Sequence, residues 1–76
     1  MLCEVIFMEG YLRKNEIGRW VIFNDDEKVE LNSGSVLEIW VVDRWVRTSV
    51  EFGLEGYYST TPGTRFQAGL RARTVD

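Results

Sequence analysis

Two glutamates set in one hydrophobic run, Glu38 and Glu51, and a compact acidic stretch, Asp25-Asp26-Glu27 with Glu30 close by, are the carboxylates of this 76-residue chain that could do chemistry. Paired carboxylates can divide acid and base work between them, and clustered ones can hold a hard cation. Neither pattern develops here. The acidic stretch lacks the alternating ligands and central glycine of a calcium loop and reads as a solvated loop. Glu38 and Glu51 have no companions that suggest a substrate cleft. The chain has no histidine, which removes Ser-His and Cys-His nucleophile pairs and the commonest zinc ligand. Its one cysteine, Cys3, can form neither an internal disulfide nor a thiolate zinc site, and its apolar neighbours predict an inert buried thiol. Gly53-Leu54-Glu55-Gly56 opens no helix and so is no phosphate cradle. The sequence predicts no catalytic, metal-binding or cofactor-binding residues and a protein that is not an enzyme.

Aromatic rings and guanidinium groups carry the remaining chemistry, which is that of recognition. The run LEIWVVDRWVRTSVEF at positions 37–52 holds two of the three tryptophans. Arg65, Arg71 and Arg73 leave the last fifteen residues locally positive, with Asp76 opposing. Arg13, Lys14 and Arg19 flank an early turn beside Trp20. Basic side chains interleaved with stacking aromatics can bind single strands of nucleic acid. They can equally be solubilising charge on an exposed sheet face.

These side chains need a scaffold, and the pattern names its class. The seven glycines and the single proline punctuate short segments rich in Val, Ile, Trp, Tyr, Phe and Thr, the types that fit a pleated surface. No window shows a sustained 3.6-residue apolar period. The reading is one all-β domain over residues 1–76, with five to six antiparallel strands and no substantial helix. The first strand is expected over residues 4–13 with a bulge or bend at Gly10 and the second over 19–23, with residues 29–31 as an optional short strand. A short strand over 57–60, a 3₁₀ turn near 66–68 and a closing strand over 70–75 complete it.

The opening run reads as two strands around Asp43. Alternation puts Leu37, Ile39 and Val41 on one face with Val46, Thr48, Val50 and Phe52, provided the turn has two residues, at Val42-Asp43 or Asp43-Arg44. Glu38, Trp40, Val42, Trp45 and Arg47 gather on the other face. With the turn at Val42-Asp43, Trp40 lies across from Trp45 and Glu38 across from Arg47. The two tryptophans are then either structural plugs at a barrel rim or an exposed contact patch.

Size and charge bound the rest. A chain of this length buries roughly 60% of the surface its unfolded form exposes, enough for one modest core. Twelve acidic against nine basic side chains give a net charge of −3, which argues against a general nucleic-acid coat. The N-terminus is too short in apolar residues for a secretory core, and no stretch approaches the length of a membrane helix. A soluble, cytoplasmic protein with no membrane partner is expected.

The residues also resemble a known family. Leu31-Asn32-Ser33-Gly34-Ser35, Leu37-Glu38-Ile39, the strand Arg44-Trp45-Val46-Arg47-Thr48-Ser49-Val50-Glu51-Phe52-Gly53, Gly56-Tyr57-Tyr58 and the ending Gly69-Leu70-Arg71-Ala72-Arg73 are similar to a domain of unknown function numbered 5348. Its members are small bacterial proteins common on phages, plasmids and integrative elements. The resemblance implies an SH3-like barrel and a mobile-element setting, and no activity comes with it. Where the family usually has a small polar turn such as Asn-Gly, this chain has Val42-Asp43.

Two functions are expected in turn. The first is a non-enzymatic interaction module, a phage- or mobile-element accessory protein that engages an unknown protein partner through Trp40, Trp45, Arg47, Tyr57 and Tyr58. A homodimer is a further option, with the apolar first strand pairing along an edge. The alternative is a small-barrel nucleic-acid accessory factor contacting its ligand through Arg65, Arg71 and Arg73.

Overall fold

Short hydrogen-bonded turns set the strand boundaries in the computed structural model, which describes residues 8–75. Asn15 closes the first turn: its Oδ1 accepts from the N–H groups of Ile17 and Arg19, and Gly18 takes φ +87°, a conformation glycine adopts without cost. Asn24 does the same at the acidic loop, accepting from Asp26 and Glu27. Between these turns the chain makes β1 (Glu9–Lys14), β2 (Trp20–Phe23), β3 (Lys28–Glu30), β4 (Val36–Val41), β5 (Arg44–Gly53), β6 (Gly56–Ser59) and β7 (Arg71–Thr74).

The fold is all-β and antiparallel, with no helix among the described residues. The described residues form seven strands rather than five or six, in one sheet of order β3-β2-β1-β7-β4-β5-β6. The extra strand comes from β3 pairing fully with β2 through Val21–Glu30, Ile22–Val29 and Phe23–Lys28. Among the described residues the sheet is open in its hydrogen bonding, with β3 and β6 as its edges. It curls so that the indole Nε1 of Trp20 on β2 donates to the carbonyl of Tyr57 on β6 at 3.4 Å. Among the described residues no helix is long and apolar enough to cross a membrane.

The curl encloses one core. Leu12, Ile22, Leu37, Ile39, Val50 and Ala72 are fully buried, joined by Met8, Trp20, Leu31 and Phe66. Trp20 and Phe66 pack with ring centroids 5.7 Å apart. Each fully buried Leu, Ile or Val contributes about 1.5–3 kcal/mol by leaving water. Thr48 is the buried polar exception on β5, and its Oγ1 accepts the N–H of Thr61.

Several expectations are corrected. Phe52 is not core: it is 64% exposed at the end of β5, beside Tyr57. Val41 and Val46 share its side of the hairpin and are half-buried. Gly10 makes no bulge, since the pairing of Glu9, Gly10 and Tyr11 with Arg73, Ala72 and Arg71 runs unbroken. It is a close approach instead, because a Cβ there would lie 2.0 Å from the carbonyl oxygen of Phe23. Residues 66–68 form no 3₁₀ turn; Leu70 donates to Gln67 in a simple turn. β1 is no edge, because it pairs with β2 on one side and β7 on the other. Cys3 and the expected strand residues 4–7 lie outside the described residues.

Candidate functional site

The β4–β5 hairpin has the register that the buried face required. Leu37 faces Thr48, Ile39 faces Val46, Glu38 faces Arg47 and Trp40 faces Trp45, so the turn residues are Val42-Asp43. At that turn Val42 adopts φ +58° and the N–H of Asp43 donates back to Val41 at 2.6 Å, a γ-turn of the rarer, strained kind. A β-branched residue is badly suited to that conformation. Its side chain is 91% exposed, so no burial compensates.

Strand order then adds neighbours that the hairpin lacks by itself. β7 lies beside β4, with Glu38 facing Arg73 and Ile39 facing Ala72. One step further along this register puts Arg71 beside Trp40, and its Cζ lies 5.8 Å from that ring and 5.4 Å from Trp45. β1 lies beyond β7, with Tyr11 facing Arg71 and Glu9 facing Arg73. Tyr11 in turn faces Phe23 on β2.

Two rows therefore cross the outer face. The first is Phe23, Tyr11, Arg71, Trp40 and Trp45, aromatic rings on either side of one guanidinium. The second is Glu9, Arg73, Glu38 and Arg47, alternating in sign. Trp40 and Trp45 meet edge to face, centroids 5.3 Å apart and planes at 75°, an arrangement worth about 0.5–1.5 kcal/mol beyond burial. Arg73 lies 4.1 Å over Trp45 while its Nε donates to Glu38 Oε1 at 2.7 Å. Arg71 donates from Nε to Glu9 Oε2 at 2.9 Å. Arg47 approaches Glu38 only to 4.0 Å and stays mostly in water. Arg13 stands over Phe23 at 4.7 Å.

Both tryptophans are half-buried and outside the core cluster. Their neighbours on this face are arginines and each other. Around them Arg13, Arg47, Arg71 and Arg73 outnumber Glu9 and Glu38, so a chain of net −3 presents a local charge of +2.

The other candidates divide. Tyr57 and Tyr58 sit on β6, where Tyr58 is 51% exposed and faces Glu51, and Tyr57 turns inward against the core. Tyr58 is on the outer side but six β5 positions from Trp45, roughly 20 Å along the strand. Arg71 and Arg73 join the tryptophans. Arg65 does not; it lines an open cleft with Lys14, Tyr58 and Phe66. Glu38 and Glu51 are four positions apart in β5 pairing terms, roughly 13 Å, and Glu51 meets Ser33 Oγ at 3.3 Å rather than another carboxylate.

At the seam, Arg19 is pushed above the ordinary arginine range, first by the Tyr57 hydroxyl and then by Glu30, whose Oε1 accepts from Arg19 at 3.0 Å. Sequence reasoning missed Tyr11, Phe23 and Arg13 as parts of the outer face. They reach it only through the β1–β7 pairing of residues 62 apart in sequence, such as Gly10 and Ala72, and no local signal encodes that contact.

Comparison with known proteins agrees in extent with this architecture. A family model described as Domain of unknown function (DUF5348) matches residues 10–74, from the second residue of β1 to the last of β7. Neither the curated proteins nor the solved structures gave a match.

Proposed function

The chain belongs to the Domain of unknown function (DUF5348) family, whose description assigns no activity, and we propose from its geometry that it is a non-enzymatic binding module for a protein partner. The observation that carries this reading is the cross-strand row Phe23, Tyr11, Arg71, Trp40 and Trp45. Tryptophan, tyrosine and arginine are the types that dominate interface energetics. Here they are fixed on five adjacent strands, so little side-chain entropy is left to lose on binding.

The same geometry ranks nucleic acid second. Arg71 and Arg73 already hold the carboxylates of Glu9 and Glu38, so phosphates would compete with bound anions. Trp45 has Arg73 over its ring and Trp40 against it, which leaves edges rather than free faces for bases to stack on. Arg65 stands apart from both.

The curl that brings Trp20 to Tyr57 supports an SH3-like barrel. A cytoplasmic setting is supported by the lone cysteine. An accessory role on phages or mobile elements rests on the family resemblance.

Capture from cells of the native host tests the reading. The tagged wild-type chain should retain a protein that the folded Trp40→Ala/Trp45→Ala variant loses. Equal capture by both would remove this face from the function. Salt-sensitive binding to single- or double-stranded DNA or to RNA, lost on charge reversal at Arg65, Arg71 and Arg73, would favour the second reading instead.

A further inference from the structure

The open seam leaves β6 as an edge, and the direction of its backbone groups follows from its neighbour. Val50 donates its N–H to Ser35 at 2.9 Å and accepts from Gly34 at 2.7 Å, so both its groups point away from β6. Val50 faces Ser59. By antiparallel alternation Ser59 turns its own N–H and C=O to the open side, and Tyr57, two residues earlier, does the same. The carbonyl that Trp20 reaches is this outward group of Tyr57.

An open edge is blunted by being very short or by a lysine, a proline or a bulge. β6 is short, at 4 residues, but its sequence Gly-Tyr-Tyr-Ser carries no lysine and no proline, and its pairing with β5 runs without a bulge. The edge borders a cleft of about 770 Å³ whose walls include Lys14, Glu55, Tyr58 and Arg65. Of the seven large hydrophobics that stand exposed among the described residues, Phe52, Leu54 and Tyr58 all lie on the β5–β6 hairpin. Glu55, at the turn end of β6, has no ion-pair partner among the described residues. Arg65 has none either, and the loop that carries it is tied to the far end of β6 by Ser59 Oγ donating to the Thr64 carbonyl at 2.5 Å.

We propose that β6 pairs antiparallel with β6 of a second copy of this chain, forming a two-fold dimer. Antiparallel pairing about a two-fold axis brings the turn end of one β6 to the Ser59 end of the other. Glu55 of each copy then meets Arg65 of its partner, so two opposite charges left unmatched among the described residues of one chain become two ion pairs across the dimer. The outward N–H of Tyr57 and both outward groups of Ser59 gain ladder partners, the Tyr57 carbonyl keeps the Trp20 indole and has a second lone pair for its own, and the apolar hairpin residues are covered. The edge in question is β6 and not β1, which is internal to the sheet. This surface is separate from the tryptophan face, so each stands or falls without the other.

Sedimentation equilibrium of the full chain over a concentration series tests the dimer. Wild type should show a monomer–dimer equilibrium. Glu55→Arg and Arg65→Glu should each weaken it at least about tenfold, and the double exchange should restore most of the affinity. Both positions are exposed, and circular dichroism confirms that each variant is folded. Trp40→Ala/Trp45→Ala should dimerise like wild type. Amide exchange at Tyr57 and Ser59 should slow as concentration rises, while that of Tyr58, already bonded to β5, stays constant. A monomer up to about 1 mM, or a dimer indifferent to both single reversals, would overturn the proposal.

Discussion

Arg73 reaches over an entire strand to cover Trp45: its Cζ stands 4.1 Å from the ring centroid although β4 separates β7 from β5. Glu38 on the intervening strand holds the guanidinium there through Nε at 2.7 Å. Trp40, also on β4, props Trp45 edge-on from the side. Side chains of three adjacent strands thus fix one another, two of them from β4, and the outer face is organised before any partner arrives.

Truncating either indole should therefore leave the fold standing. Trp40→Ala and Trp45→Ala each lose an aromatic pair and partial burial, and about 1–2 kcal/mol of stability is expected to go. Ile39→Ala, in the core behind them, should cost about 2–5 kcal/mol. Urea titrations of the three variants make the comparison; a tryptophan variant without a cooperative transition would put that ring in the structural core.

The Glu38–Arg73 contact should show measurable coupling. Its side chains are only 18% and 31% exposed, so it is screened less than a fully solvated pair. A double-mutant cycle with Glu38→Gln and Arg73→Gln is expected to give about 1 kcal/mol of interaction energy. Arg73→Lys should recover less than half of it, since an ammonium cannot both stack on Trp45 and present a planar fork to Glu38. Additive effects of the two substitutions would contradict this.

Relief of the hairpin tip should stabilise the protein. Val42 at φ +58° carries strain of about 1–3 kcal/mol, partly offset in Val42→Gly by the greater freedom of unfolded glycine. A net gain of about 0.5–1.5 kcal/mol is expected, read as a rise of several degrees in Tm. A fall in Tm would show that the valine side chain contributes contacts its 91% exposure does not suggest.

Gly10→Ala should do the opposite. The added methyl would sit 2.0 Å from backbone of Phe23, which no side-chain rotation can avoid. Separating β1 from β2 there is expected to cost about 3 kcal/mol, seen as a lower denaturation midpoint. An unchanged midpoint would mean that the strands part freely at this point.

What the sequence disclosed follows the range of the interactions involved. The β4–β5 hairpin was legible as far as the buried face reaches: it demands a two-residue turn, which leaves Val42-Asp43 and Asp43-Arg44, and the turn that forms is the one that sets Trp40 opposite Trp45. The all-β class was legible from turn punctuation. Phe52 was misplaced because alternation assigns a side but does not say where the core ends along a strand. Gly10 was misread because a bulge and a close approach both demand glycine. The placement of Arg71 and Arg73 beside the tryptophans depends on β7 inserting between β1 and β4, and strand insertion is a non-local event that local patterning does not record.

The T-shaped indole pair also makes the molecule its own spectroscopic gauge. Two identical chromophores with centroids 5.3 Å apart, held at a fixed angle in a chiral frame, couple their transition dipoles and give a paired band of opposite signs in circular dichroism. Trp20, buried against Phe66, stands outside the pair. Unlabelled protein thus carries an optical signal that belongs to the outer surface, lost when either indole of the pair turns away.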